Sequence, residues 1–342
     1  MSTALRATLE KLLRRENLAE EEAAQLLTQL TDPALPPPLV GGLLIALRAK
    51  GETADEVRGF ARAMRALARR PNIAPGSPIV DVVGTGGDAS GSVNISTGAA
   101  LLSAACGLRV TKHGNRSVSS KSGSADTLEM LGLKLPLDEE RAGACLAATG
   151  FTFLFAPHYH PATKAIAQVR AGLGLRTVFN VLGPLTNPAA PPFSLVGAFS
   201  LASAELIANA FAGLPIERVM VVHGEPGWDE ATPIGPFHLF DVRGGKVARS
   251  VRSAAAYGIG PCKAQDLAGG DAAYNAARLR EVLEGKERGA HRDAIVLQTA
   301  LVLELTGRES DPRRAVETAG RAIDDGRAAQ LLAGLARFEG GG

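Results

Sequence analysis

Leu43, Leu44 and Leu47 recur at the spacing that places side chains on one face of a helix. The first 70 residues around them show no strand-like alternation and predict helices only. Asn17 with Glu20, and Thr53 with Glu56, stand at the N-cap and N3 spacing of capping boxes, each opening a helical stretch. Pro36, Pro37 and Pro38 break the chain before Leu39, and Gly51 closes the helix that follows. A proline-punctuated stretch, Pro71 to Pro78, separates this bundle from what comes next.

From Ile79 the texture changes. Short apolar runs (Ile79 to Val83, Phe151 to Phe155, Arg218 to Val222) alternate with Ala-rich helical segments such as Ala202 to Ala212. That alternation predicts an α/β domain around a mainly parallel central sheet, following a small N-terminal helical domain. A hairpin is expected over Phe237 to Val251, with Gly244-Gly245 as its turn. From Asp271 onward the chain again reads as helix, up to a loose tail at Gly340 to Gly342.

Composition narrows the function classes. In 342 residues with a formal net charge of +2, nothing in the charge balance favours nucleic acid or a membrane surface as partner. No window approaches the roughly 18 apolar residues of a membrane span, and the first 15 residues do not read as a secretory signal. Cys106, Cys145 and Cys262 show no CxxC spacing and read as thiols of a reducing compartment, so a cytoplasmic location is expected. Aromatics are only 4%, so Ala, Leu, Val and Gly must build the core.

Two loops carry candidate chemistry. Gly84-Thr85-Gly86-Gly87-Asp88 follows a strand, and Asn94-Ile95-Ser96-Thr97 leads into a helix. Strand, glycine loop and helix N-terminus together make a place for phosphate, because glycines let backbone N–H groups approach and the helix dipole favours an anion. The loop is neither a P-loop nor a clean GxGxxG, so a purely structural turn stays open at this point. After a short strand at Leu108 to Thr111 comes Lys112 to Ser124, in which ten of thirteen residues are cationic or hydrogen-bonding. Such a loop suits a polyanion or is simply solvated surface. Asp229-Glu230 is an adjacent acidic pair that solvation alone could explain, and Arg170 could be an ordinary surface arginine.

The motifs taken together resemble the anthranilate phosphoribosyltransferase family. Its pattern of GTGGD, NxST and KHGNRxVSSxxGSAD stands here at Gly84 to Asp88, Asn94 to Thr97 and Lys112 to Asp126. Phe155-Ala156-Pro157, His160-Pro161, Val169-Arg170 and Phe179 to Pro188 follow in order, and the similarity runs through nearly the whole chain. The resemblance implies a nucleoside phosphorylase/phosphoribosyltransferase-like fold. The small domain would be 1–72, joined by helices near 166–190, and the large domain 79–165 with 191–338. It implies a homodimer and transfer of phosphoribosyl from phosphoribosyl pyrophosphate to anthranilate, through an oxocarbenium-like transition state.

It also implies site residues. Gly84, Gly87, Asp88, Ser92, Asn94, Ile95, Ser96 and Thr97 would hold the donor, with Lys112, His113, Gly114, Asn115, Arg116, Ser117, Val118, Ser119, Ser120 and Ser124. Arg170, Asn115 and Gly84 would hold anthranilate, since a guanidinium matches a carboxylate with two parallel hydrogen bonds. Ser96, Asp229 and Glu230 would bind Mg²⁺, as two ions in the ternary complex, because that ion takes one or two carboxylates with water and phosphate oxygens. No dedicated general base is expected, since an aromatic amine is nucleophilic when neutral.

Where the family usually reads Gly-Leu-Asp-Glu, this chain has Trp228, its only tryptophan, before Asp229; Thr163 stands where larger residues are common. These departures bear on loop packing and on the outer acceptor pocket. Other readings are a pyrimidine nucleoside phosphorylase, a transferase using a modified aminobenzoate, and a non-enzymatic nucleic-acid binder. The HGNR stretch argues against the first, and the near-neutral charge against the last.

Overall fold

A computed structural model describes residues 3–117 and 121–338. The chain opens with four helices, α1 (Thr3–Leu13), α2 (Glu20–Leu30), α3 (Pro37–Lys50) and α4 (Ala54–Leu67). The large α/β unit then runs β1 (Ile79–Gly84), α5 (Ile95–Ala105), β2 (Arg109–Gly114), α6 (Ser124–Met130), α7 (Glu139–Thr149), β3 (Phe151–Phe155) and α8 (Ala156–Tyr159). Next come α9 (Lys164–Leu173) and α10 (Phe179–Leu182), then β4 (Phe193–Gly197), α11 (Leu201–Ala212), β5 (Arg218–Gly224), β6 (Phe237–Arg243) and β7 (Lys246–Arg252). Four helices close the chain: α12 (Ala272–Leu283), α13 (Ala290–Leu305), α14 (Pro312–Asp324) and α15 (Arg327–Arg337).

The expected small helical domain before a mainly parallel sheet is what the structure has. The sheet order is β3-β2-β1-β4-β5-β6-β7, with β3 through β5 parallel and β6 and β7 antiparallel. Both faces of the central strands are covered. On β5, Met220 and Val222 join the core beneath α5 and α13, while Val219 and Val221 join the core shared with α11 and the N-terminal bundle. Burial on both faces explains why these strands read as apolar runs rather than as alternation. None of the described helices is long and apolar enough to cross a membrane.

Local signals held in part. Thr53 caps α4 as expected, accepting from Glu56 N–H while Glu56 accepts from Thr53 N–H at 2.8 Å. Glu56 is fully buried and also holds Leu18 N–H and the Lys50 ammonium, so this cap ties α4 to the end of α3 and to the loop before α2. Asn17 does not cap α2; that helix starts at Glu20 after Ala19, and Glu22 takes the capping-box role by accepting from Ala19 N–H. Asn17 instead accepts from Lys50. The hairpin turn falls at Gly244 and Gly245, both at positive φ. Pro37 and Pro38 lie inside the first turn of α3 rather than before it, because proline lacks only an N–H that the first turn leaves unpaired anyway.

One element is longer than the sequence predicts. The strand expected at Leu108 to Thr111 runs on through Lys112 and His113 to Gly114, pairing with β3 as far as Phe155. Lys112 and His113 are therefore buried strand residues, and the polar loop begins only at Asn115. The β-ladder satisfies their backbone groups, and this outweighs the polar character of the side chains.

Candidate active site

The chain leaves β1 for β2 and β3 on one side, then returns to the other side of β1 as β4. In open α/β sheets such a reversal leaves a crevice beyond the carboxyl ends of the strands, and ligands bind there. The glycine loop after β1 and the acidic turn after β5 meet at this reversal. Gly86 N–H donates to Asp229 Oδ2 at 2.7 Å, Ser96 N–H donates to Glu230 Oε1 at 2.9 Å, and Asp229 N–H donates to Asp88 Oδ2 at 3.3 Å.

Three strand-ending glycines make room for that turn. A Cβ on Gly84 would strike the Asp229 carboxylate, one on Gly197 the Asp229 carbonyl oxygen, and one on Gly224 the Glu230 carbonyl oxygen. Gly86 and Gly87, at φ of 65° and 75°, take left-handed conformations that a side chain would strain.

Asp229 and Glu230 are buried side by side near Asp88. Burial first, and then neighbouring carboxylate charge, pushes both well above the usual carboxylate range. The Lys112 ammonium acts on this pair; it donates to Val82 O at 2.5 Å and lies 3.5 Å from Ser96 Oγ. Burial pulls Lys112 down to about 8 against the pull of Asp81, Glu230 and Asp229. Ionising both acids would set three carboxylates against one ammonium, an excess of negative charge that a divalent cation would offset. Among the described residues no three His, Cys, Asp or Glu side chains form a closed metal cage. A hard ion that keeps water and takes substrate phosphate oxygens has no need of one.

The remaining donor candidates separate into distinct settings. Asn94 sits immediately before α5, and Ile95 is wholly in the core, so Ile95 can offer only its backbone. The Thr97 hydroxyl is buried without a hydrogen-bond partner among the described residues. Ser92 bridges to Ala268 and shares a hydroxyl contact with Ser90 at 3.2 Å. Asn115 receives Arg116 N–H on its side chain and Ser124 Oγ–H on its carbonyl. Ser117 N–H donates to Asp126. Arg116 is engaged by Glu129 and Asp126 of α6 and lies over the Phe155 ring, so it must leave these partners to serve a phosphate. Val118, Ser119 and Ser120 lie outside the described residues.

His113 Nδ1 faces Gly183 O at 3.3 Å, and its ring packs edge-on against His160 with centroids 5.1 Å apart. Burial pulls His113 down to about 3 and His160 to about 4. Both stay neutral in the fold while unfolded histidines charge below about pH 6.5. Their stabilisation is therefore complete above pH 6.5 and is lost as pH falls toward 4, by about 2 kcal/mol each at pH 5. Asp81, buried and raised to about 6, acts in the opposite sense, so the comparison must be between variants. The urea midpoint of His113→Asn should fall less between pH 7 and pH 5 than that of the parent. An equal fall in both would contradict this reading of the pair.

Arg170, half-buried on α9, lies 5.0 Å from the Phe179 ring centroid, and no described carboxylate pairs with it. No hydrogen bond or ion pair among the described residues joins it to the donor loop. The link runs instead through Arg176, whose guanidinium stacks 3.9 Å from the Phe199 ring centroid and donates to Gly87 O. Arg48 of α3 donates to the Arg176 carbonyl, so this residue spans bundle and glycine loop. Residue-by-residue reading gave no role to Arg176, which stands close to Arg170 in sequence, nor to Gly197, Gly224, Asp81 or Asn187. Asp81 accepts from Asn187 Nδ2 at 2.8 Å and from His113 N–H at 3.2 Å, which holds the end of β2 in place.

Two family models match the chain: the helical bundle domain of a glycosyl transferase family over residues 6–68, and the α/β domain of that family over residues 76–329. Fold and site thus define a two-domain glycosyltransferase. The anthranilate phosphoribosyltransferase of Pelotomaculum thermopropionicum is 43% identical, over 98% of this chain and 97% of that one. That of Rubrobacter xylanophilus is also 43% identical, over 98% and 96%. Among solved structures, the Thermus thermophilus enzyme superposes with a TM-score of 0.90 at 40% identity, over 97% of this chain and 98% of that one. The Saccharomyces cerevisiae enzyme in complex with phosphoribosyl pyrophosphate and Mg also gives 0.90, at 25% identity, over 99% and 98%. The chain belongs to the anthranilate phosphoribosyltransferase family.

Proposed function

We propose that this chain transfers the phosphoribosyl group of phosphoribosyl pyrophosphate to the amino nitrogen of anthranilate, releasing pyrophosphate, as a step of tryptophan biosynthesis. The observation that carries the reading is the acidic turn Asp229-Glu230, seated by the backbone N–H groups of Gly86 and Ser96 at the sheet's reversal.

Asp229, Glu230 and the Ser96 hydroxyl would hold Mg²⁺, which when bound neutralises the departing pyrophosphate. The chain's own residues surround that ion with donors: backbone N–H groups of the 84–88 loop, Asn94, the start of α5, Lys112 and the 115–124 loop. These groups hold the anionic end still while positive charge develops on the ribose in an oxocarbenium-like transition state. Arg170 grips the acceptor's carboxylate, with Asn115 and the Gly84 backbone beside it. His113 is a poor base because burial lowers its affinity for a proton, and the neutral aromatic amine needs little help. Replacing His113 should slow turnover without abolishing it.

Arg170→Ala should raise KM for anthranilate by about 100-fold and leave KM for the donor within about 3-fold, the cost of losing a two-pronged charged hydrogen bond. Initial-rate kinetics with each substrate varied would check this; an unchanged acceptor KM would remove Arg170 from the acceptor site. The reaction itself is tested by counting products. One pyrophosphate, measured after enzymatic conversion to phosphate, should appear per anthranilate consumed. Pyrophosphate released without anthranilate loss would point to another acceptor.

The unit 1–72 with 166–190 forms one wall of the cleft in this reading, and 79–165 with 191–338 the other. Two copies associate through the small unit, which light scattering would report as twice the 35.4 kDa of one chain. The three free cysteines fit work in the reducing cytoplasm. Small molecules, rather than nucleic acid or membrane, are the partners.

A further inference from the structure

The orientation of the Asn94 side-chain amide is fixed by its described neighbours. Its Oδ1 accepts from Asn275 Nδ2 at 2.8 Å and from Thr127 Oγ1 at 2.7 Å. Both lone-pair directions of the oxygen are thereby used, and the amide nitrogen must face the other way. One of its N–H groups meets Ser122 O at 3.3 Å; no other described residue accepts from the nitrogen.

Asn275 is itself fixed. It lies in the first turns of α12, only 2% exposed, and its Oδ1 accepts from Gly270 N–H at 2.8 Å. The segment before it is joined to the glycine loop by main-chain bonds, Val93 N–H to Leu267 O at 3.1 Å and Gly269 N–H to Gly91 O at 2.8 Å. A C-terminal helix 181 residues away in sequence thus fixes which end of the Asn94 amide is turned toward α12 and which away from it.

We propose that Asn275, with Thr127, is a positioning residue for the donor: it holds the Asn94 amide with its second N–H toward the cleft, where it meets a phosphoryl oxygen. This rests on the assignment of Asn94 to the donor site. The polarity is what matters. Asn275→Asp keeps the size, and one carboxylate oxygen can still accept from Gly270 N–H, but the other has no hydrogen to give to Asn94 Oδ1. The Asn94 amide then turns over, donating to the new carboxylate and presenting its oxygen to the phosphates. Asn275→Ala removes one of the two bonds to Oδ1 and leaves Thr127 to hold the amide less firmly.

The test is steady-state kinetics on the full chain with phosphoribosyl pyrophosphate, anthranilate and Mg²⁺, together with melting temperatures. Asn275→Asp should raise the donor KM by roughly 10-fold or more, exceeding the rise in Asn275→Ala, with the acceptor KM changed less than about 2-fold. A purely structural role would shift both KM values together and raise the donor KM no more in Asn275→Asp than in Asn275→Ala, and that result overturns the proposal. Asn94→Ala separates the two levels. If it leaves the donor KM unchanged, the assignment of Asn94 fails and the proposal with it. If it raises the donor KM while Asn275→Asp does not, only the proposal fails. Should Asn275→Asp not fold, Thr127→Val removes the second hydrogen bond from a different helix. It should give the same donor-specific rise, and its absence overturns the proposal.

Discussion

Asp229→Ala/Glu230→Ala should lose the metal-dependent reaction almost completely, by at least about 1,000-fold in kcat/KM, while remaining folded. The loss is large because the pair supplies the charge that a divalent ion needs at the one place where the glycine loop, the start of α5 and Lys112 converge. The fold should survive because these carboxylates are buried beside each other and Asp88, with one ammonium among the three. A dry cluster of like charge costs stability that its function requires. The melting temperature measured without metal should therefore be no lower than the parent's. A variant that is inactive only because it is unfolded would contradict both halves of this expectation.

Gly197→Ala should be nearly as damaging from a position that carries no chemistry. Its Cβ would occupy the place of the Asp229 carbonyl oxygen, and backbone rather than a flexible side-chain tip stands in the way. The acidic turn has to move or β4 has to part from β1, against the pairing of Gly84 with Gly197. We expect a loss of about 100-fold or more in kcat/KM and a lower melting temperature, since a roughly 1 Å misplacement of a reacting site is worth about that much. Gly172→Ala on α9, with open space around its Cβ, is the control and should stabilise slightly. If Gly197→Ala kept parental activity, the close approach of turn and strand would not matter to catalysis.

Much of this was legible in the sequence, for identifiable reasons. Local chemistry shows in local patterns: the Thr53–Glu56 cap, the turn at Gly244-Gly245 and the strand before Gly84 all follow from residues within a few positions of each other. What stayed hidden depends on distant pairing. Lys112 and His113 read as loop because their side chains are polar, but β3 lies beside them and extends the strand. Asn17 had the right spacing for a cap, yet a lysine from α3 claims it. Asn275 lies in a stretch that the sequence marks only as helix; the fold alone places it on Asn94. The adjacent acids Asp229 and Glu230 gained meaning from the resemblance, and their burial against Gly86 and Ser96 supplied the physical reason afterwards.

The most direct measurement is the fluorescence of anthranilate mixed with the purified protein, with and without phosphoribosyl pyrophosphate and with and without Mg²⁺. The account predicts that fluorescence falls only when donor, metal and protein are all present, and that Asp229→Ala/Glu230→Ala abolishes the fall. Steady fluorescence in the complete mixture, from folded protein that binds the donor, would contradict anthranilate as the acceptor.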